Sequence, residues 1–243
     1  MNVLLLRRLT LLGGTVLLTC ITATASLLAE SVIRADFNGD GILDLAVVNP
    51  DADRVCVFLG DGKGGYGPGA CFPVGNRPVS LTAADFNNDG NLDLATANSG
   101  SNDISILLGV GDGTFGEATN FPAGIGPVVI IAGDFDANGI ADLAVANSGS
   151  HDISILLGVG DGSFDAPRSF AFVGQPTDMI AEDLNGDGCV DLVIITRDGF
   201  CTLLGSCQGD FSGLRCGSFR QVANATRSAE CNAGFNSQTN SCK

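Results

Sequence analysis

The chain has 243 residues, enough for one large domain or two small ones, and carries 45% hydrophobic residues and 34 glycines. That hydrophobic share excludes a disordered chain, and the glycines call for many tight turns between short strands. The formal net charge of −15 sets the chain against nucleic acid and anionic membrane as partners and favours cations.

At the N-terminus, Arg7 and Arg8 precede an apolar run from Leu9 to Ile21, and Ala23-Thr24-Ala25 gives the small-x-small pattern of a signal-peptidase site. Residues 1–25 read as an export signal cleaved after Ala25. Lipid attachment at Cys20, within Leu17-Leu18-Thr19-Cys20, is the minor alternative. No later apolar run reaches the ~18 residues of a spanning helix. The expectation is no membrane span after cleavage and a secreted or cell-surface location.

Residues 26–222 are organised by repetition, which takes precedence over any local reading. Asp36-Phe37-Asn38-Gly39-Asp40-Gly41-Ile42-Leu43-Asp44 returns in variant form from Asp85, Asp134 and Asp183, each step being 49 residues. In the second unit, Ser80 to Phe86 leads into the acidic loop and Leu92 to Asn98 leaves it. Asp103 to Gly109 and Phe115 to Pro122 complete the unit. These runs are short, rich in Val, Ile, Leu and Phe, and bounded by Gly, Asn, Asp and Ser, which predicts strands. Runs such as Leu143 to Ala146 are apolar throughout, as expected of sheets covered on both faces. The fold class is therefore all-β, a propeller-type array of four four-stranded blades. Phe37, Phe86 and Phe135, with Leu184 in the last unit, are expected to pack between blades.

Each loop follows D-x-[DN]-x-[DN]-G-x-x-D, so oxygens at positions 1, 3, 5 and 9 curl around one point when the backbone turns at the position-6 glycine. The position-7 carbonyl adds a donor. The candidate ligand sets are Asp36, Asn38, Asp40, Ile42 and Asp44; Asp85, Asn87, Asp89, Asn91 and Asp93; Asp134, Asp136, Asn138, Ile140 and Asp142; and Asp183, Asn185, Asp187, Cys189 and Asp191. An all-oxygen set of irregular geometry suits Ca2+, up to four ions, better than Mg2+. The bidentate Glu of a helix–loop–helix site is missing, because position 12 holds Val47, Thr96, Val145 and Ile194. Position 9 must close the site. Three carboxylates in one loop repel by roughly a few kcal/mol without metal, so a metal-dependent fold is expected. On this view, replacing Asp93 or Asp142 with Ala lowers stability in calcium and hardly matters in chelator.

The D-F-N-x-D-G-x-x-D-L-A loops, followed by I-x-L-L-G-x-G-D-G-x-F at Ile104 to Phe115 and Ile153 to Phe164, resemble the FG-GAP or VCBS repeats found in the integrin alpha-chain head. The resemblance covers about residues 31 to 220 and implies a β-propeller with calcium in each loop, serving adhesion, carbohydrate binding or scaffolding. Such propellers usually have more blades than four. A closed ring, an open arc and a homodimer completing eight blades are all compatible with this chain.

Without Cys20, eight cysteines remain in an exported chain, which favours disulfides. Cys56 and Cys71 stand four residues before and eleven after Gly60, and Cys201 and Cys216 stand likewise around Gly205. These positions predict Cys56–Cys71 and Cys201–Cys216, stapling the two terminal blades. Cys189, Cys207, Cys231 and Cys242 allow three pairings, the last two lying in a C-terminal tail of residues 223–243.

One His, one Tyr and no Trp leave little for catalysis. His151 stands at the turn position held by Asn102 one repeat earlier, so a turn role is expected for it. The reading is a non-catalytic adhesion or interaction module whose partner is an extracellular protein or glycan. The alternative is a lectin-like module using the polar turns Asn98 to Asp103 and Asn147 to Asp152.

Overall fold

A computed structural model describes residues 32–219. The cleavage point after Ala25, the lipid alternative at Cys20, and Cys231 and Cys242 in the tail lie outside the described residues. Sixteen strands form four antiparallel four-stranded sheets, each a meander in chain order. Blade 1 comprises β1 (Val32–Ala35), β2 (Asp44–Asn49), β3 (Arg54–Phe58) and β4 (Ala70–Pro73). Blade 2 comprises β5 (Pro78–Ala84), β6 (Asp93–Asn98), β7 (Asp103–Leu107) and β8 (Thr119–Pro122). Blade 3 comprises β9 (Pro127–Gly133), β10 (Asp142–Asn147), β11 (Asp152–Leu156) and β12 (Arg168–Ala171). Blade 4 comprises β13 (Pro176–Glu182), β14 (Asp191–Thr196), β15 (Gly199–Gly205) and β16 (Phe211–Ser218).

The strand ends differ from the sequence expectation for local reasons. Asp85 and Phe86 belong to the acidic loop, because the Asp85 side chain captures loop amides instead of letting the strand continue. Phe115 meets Gly109 only through an isolated bridge, and β8 begins later, at Thr119.

Three apolar cores hold the blades, one between each successive pair. All six residues of β6 and of β10 are buried, as the uninterrupted apolar runs predict for sheets covered on both faces. Each core contains the same aromatic trio in edge-to-face contact. Phe86 and Phe121 of blade 2, for example, bracket Phe164 of blade 3 at 5.6 and 5.4 Å between ring centroids. Phe37, Phe86 and Phe135 are buried between blades as expected, whereas Leu184 is 44% exposed.

No core joins blade 4 to blade 1 among the described residues. In β2 the half-buried positions are Leu45 and Val47, and in β14 they are Val193 and Ile195. The terminal blades are thus covered on opposite faces. Of the three arrangements the sequence allowed, the closed ring of four is not formed among the described residues; the four blades make an arc, as both the open array and the half of an eight-bladed dimer require.

The two expected disulfides are present between directly paired residues of neighbouring strands, with Cα–Cα distances of 4.0 Å for Cys56–Cys71 and 4.1 Å for Cys201–Cys216. At the same place in blade 2, Ser105 Oγ donates to Asn120 Oδ1 at 2.8 Å. The terminal blades, covered on one side only, carry the covalent version, worth about 2–4 kcal/mol each. A third bridge, Cys189–Cys207, settles one of the open pairings.

One substitution between repeats leaves a visible defect. Thr96 Oγ1 donates to Asn98 Oδ1 at 2.9 Å in blade 2. Blade 3 has Val145 at that position, and Asn147 Oδ1 is buried with no partner. Val145→Thr is expected to raise stability by about 1 kcal/mol, read from the urea midpoint. Phe86→Ala should cost about 3–5 kcal/mol, whereas Leu184→Ala should cost less than about 1 kcal/mol, because only the first opens a cavity.

Candidate metal centre

Each acidic loop joins the first and second strands of its blade. The position-1 aspartate folds the loop by accepting backbone N–H groups. Asp36 Oδ2 accepts from Gly41 at 2.7 Å and Oδ1 from Gly39 at 2.8 Å, and Asp85, Asp134 and Asp183 accept in the same way from Gly90, Gly139 and Gly188. The position-6 glycines all have positive φ, between 79° and 86°, as the motif required. The Gly41 amide is the main reason that the Asp36 carboxyl is held below its ordinary range, and Gly188 acts likewise on Asp183.

Positions 3 and 5 interlock. Asp40 N–H donates to Asn38 Oδ1 at 3.1 Å, Asn38 Nδ2 donates to Asp40 Oδ2 at 3.0 Å, and Ile42 N–H donates to Asp40 Oδ1 at 2.7 Å. Asn87 and Asp89, and Asn185 and Asp187, make the same contacts, with Asn91 N–H and Cys189 N–H as the last donors. In the third loop the roles are exchanged between Asp136 and Asn138, with Ile140 N–H as the donor. The Cys189 side chain is tied up in its disulfide, so only its backbone carbonyl is left for the role assigned to position 7.

In the third loop, carboxylate oxygens of Asp134, Asp136 and Asp142 all lie within 4.8 Å of one another. Among the described residues it is the one place where three such groups converge this closely. Asp142 is fully buried, and burial pushes its carboxyl up to about 6, with the charges of Asp136 and Asp134 adding to the push. Asp93 is raised for the same leading reason, burial, with Asp89 and Asp85 contributing. A hard cation among the third-loop oxygens would relieve the first effect, and one in the second loop would relieve the other. The donors present, oxygens only with a buried carboxylate at the centre, fit such an ion.

Position 9 does more than the sequence reading allowed. Asp142 Oδ2 accepts the Phe135 N–H at 2.8 Å and its Oδ1 accepts the Gly158 N–H at 2.7 Å. Asp44, Asp93 and Asp191 make the equivalent pair of bonds, to Phe37 and Gly60, Phe86 and Gly109, and Leu184 and Gly205. This aspartate therefore clamps the loop to the far end of the next hairpin. The expectation that its loss would hardly matter in chelator is corrected, because truncation leaves two inward-facing amides without acceptors.

Two further features escaped the sequence reading. Position 4 also has positive φ, at Gly39, Asn88, Ala137 and Gly186. Cys207 has φ of 55° at the place of Gly62, Gly111 and Gly160, all at positive φ. Adding a Cβ to Gly111 would bring it to 2.4 Å from the Asn91 side chain. Position 7 and this turn residue are therefore neighbours in every blade, and in blade 4 both are cysteine. The 49-residue alignment held that signal.

The polar turns are occupied internally. Asn98 and Asn147 are fully buried, Asn98 Nδ2 donates to Asp103 Oδ1 at 2.8 Å, and Asn102 Oδ1 accepts from Gly126 N–H. His151 takes the positive φ of the Asn102 position, and its Nδ1 lies 3.0 Å from the Gly174 carbonyl. No helix among the described residues is long and apolar enough to cross a membrane.

Comparison with known proteins places this geometry. The FG-GAP-like repeat family matches residues 36–96, 85–145 and 134–194. Each matched span runs from one acidic loop through the next. Among solved structures, the chain is similar to an Agrocybe aegerita lectin solved for its specific recognition of non-reducing terminal N-acetylglucosamine. The identity is 19%, the TM-score 0.51, and the match covers 77% of this chain and 52% of that one. A functionally unknown protein from Desulfotomaculum acetoxidans is similar at 17% identity and TM-score 0.59, over 80% and 59% of the two chains. BBS1N, solved in complex with ARL6DN, is similar at 15% identity and TM-score 0.54, over 76% and 56%. At these identities the likeness is one of fold, and this chain spans little more than half the length of those chains. No curated protein sequence matched.

Asp136→Ala is expected to change stability in chelator by less than about 1 kcal/mol, since its two bonds within the loop, from the Asn138 N–H and Nδ2, are long at 3.3 and 3.1 Å and exposed, while cutting cation affinity at the third loop at least about tenfold. Asp142→Ala should lower the melting temperature with and without cation. Paired melts and titrations of both variants check this.

Proposed function

This chain belongs to the FG-GAP-like repeat family, and on that premise we propose that it is an exported, Ca2+-binding interaction module without catalytic activity. The observation that carries the reading is the convergence of Asp134, Asp136 and Asp142 on one point in a loop that the sequence repeats every 49 residues. A buried carboxylate beside two others is unfavourable until a cation neutralises it. Calcium suits the site better than magnesium, because loop carboxylates, amides and carbonyls give a larger and less regular oxygen set than a tight octahedron accepts. The twenty residues at positions 1, 3, 5, 7 and 9 are the proposed ligand sets. Three disulfides among the described residues favour an oxidising, extracytoplasmic setting, in keeping with the N-terminal export pattern.

The cation's role is structural. Bound ion and position-9 clamp together would fix the first hairpin of each blade, so that binding free energy adds to folding free energy. His151 is engaged with a backbone carbonyl and the loop aspartates are assigned to metal, so the reading assigns no nucleophile–base pair among the described residues. The partner class is an extracellular protein or glycan. The lectin among the structural neighbours supports the glycan reading at the level of fold. The internal hydrogen bonds of the Asn98 to Asp103 turn, the lack of Trp and the full or partial burial of every described Phe side chain except Phe219 favour a protein partner.

Chelator-stripped protein is expected to melt well below the calcium-saturated form. Each occupied site should add about 2.7 kcal/mol at a hundred-fold excess over its Kd, and equal magnesium should give a much smaller shift. Scanning calorimetry in calcium, magnesium and chelator makes the comparison. Identical melts in all three would contradict the reading.

A further inference from the structure

Among the described residues the arc leaves two unpartnered faces, and they are the two halves of the joint that already holds the blades together. At each internal joint, the hairpin turn of one blade seats on its predecessor. Gly113, Gly162 and Gly209 donate N–H to the carbonyls of Phe37, Phe86 and Phe135 at 3.0–3.1 Å. A Cβ at any of these glycines would fall within 3 Å of a Leu side chain of the preceding blade. Gly64, the same residue in blade 1, has open space around it and no such bond among the described residues. The matching carbonyl at the other end belongs to Leu184, which is 44% exposed.

The side chains tell the same story. Val32 and Tyr66 of blade 1 are 46% and 45% exposed, while Leu81, Ile130 and Met179, and Phe115, Phe164 and Phe211, are buried at 9% or less in the other blades. The innermost strands add charge. Ala35 and Ala83 pack on one core and Ala84 and Ala132 on the next, small residue facing small residue across the joint. At the two free ends, the register of the repeat puts Arg34 in the place of Ala83 and Glu182 in the place of Ala35. Both are exposed, and neither has an ion-pair partner among the described residues. Opposite charges therefore occupy the two positions that the joint would bring together.

We propose that two copies of this chain associate head to tail, blade 4 of each seating on blade 1 of the other, to close a ring of eight blades. The joint is heterologous and occurs twice about a two-fold axis, so it uses up both free faces of each copy. Two arcs are also close in size to one of the propellers that the single arc half covers. The inference rests on the packing of the blades and not on the cation reading, and the association is measured in excess calcium to keep the two separate.

Sedimentation of the purified chain across the micromolar range should give twice the monomer mass. Arg34→Glu and Glu182→Arg should each weaken association about tenfold or more by opposing like charges. The double swap, R34E with E182R, should restore it to within about threefold of the wild type. Circular dichroism melts of the single variants as monomers exclude misfolding as the cause. A monomer at all concentrations, a mass that keeps growing with concentration, or a double swap no better than the singles would each overturn the proposal.

Discussion

The structure depends on one buried carboxylate repeated four times. The aspartate at position 9 of each acidic loop lies fully buried at the start of a blade's second strand. One oxygen binds the amide that follows the loop's first residue, and the other binds the glycine amide beyond the next hairpin. A single side chain thus fixes the loop, the strand pairing and the register of the third strand. The cost is an anion in a desolvated place, with two more carboxylates beside it in the third loop. A hard cation at the same point turns that cost into stabilisation. Fold and proposed ligand are for this reason one problem rather than two.

Much of this was legible in the residues. The 49-residue period, the position-6 glycines and the alternation of apolar and turn residues specify four meanders, since each is a local constraint repeated in register. The paired Cys positions around Gly60 and Gly205 gave two disulfides because aligned repeats report cross-strand neighbours directly. What the sequence withheld was longer-range. The bonds from position 9 to Gly60, Gly109, Gly158 and Gly205 span 14 to 16 residues and follow no loop motif. The Cys189–Cys207 bridge became readable only once position 7 and the turn glycine were seen side by side. Strand ends shifted where an aspartate side chain competed with the sheet for backbone amides, as at Asp85.

The same residue type plays different parts according to which neighbour a blade possesses. Phe at loop position 2 is a buried wedge in three blades and becomes a half-exposed Leu184 in the fourth, which has no following blade packed on it among the described residues. Blade 1 shows the complementary loss on its other face, at Val32 and Tyr66. Repeat arrays must cap or join their ends. Here the ends carry disulfides for rigidity and opposite charges at equivalent inner positions, a combination suited to joining rather than to shielding. Such a ring would present the acidic loops around one face as a regular array.

The central claim is that the repeated loops take up calcium as part of the folded structure. Isothermal titration of chelator-stripped protein with Ca2+ tests it most directly, with the third loop as the reference because its three carboxylates already converge. Saturable uptake of more than one and up to four ions per chain is expected, with one of the tighter sites lost in the Asp136→Ala variant. No heat of binding and no saturable uptake, from protein that is otherwise folded, would contradict the account.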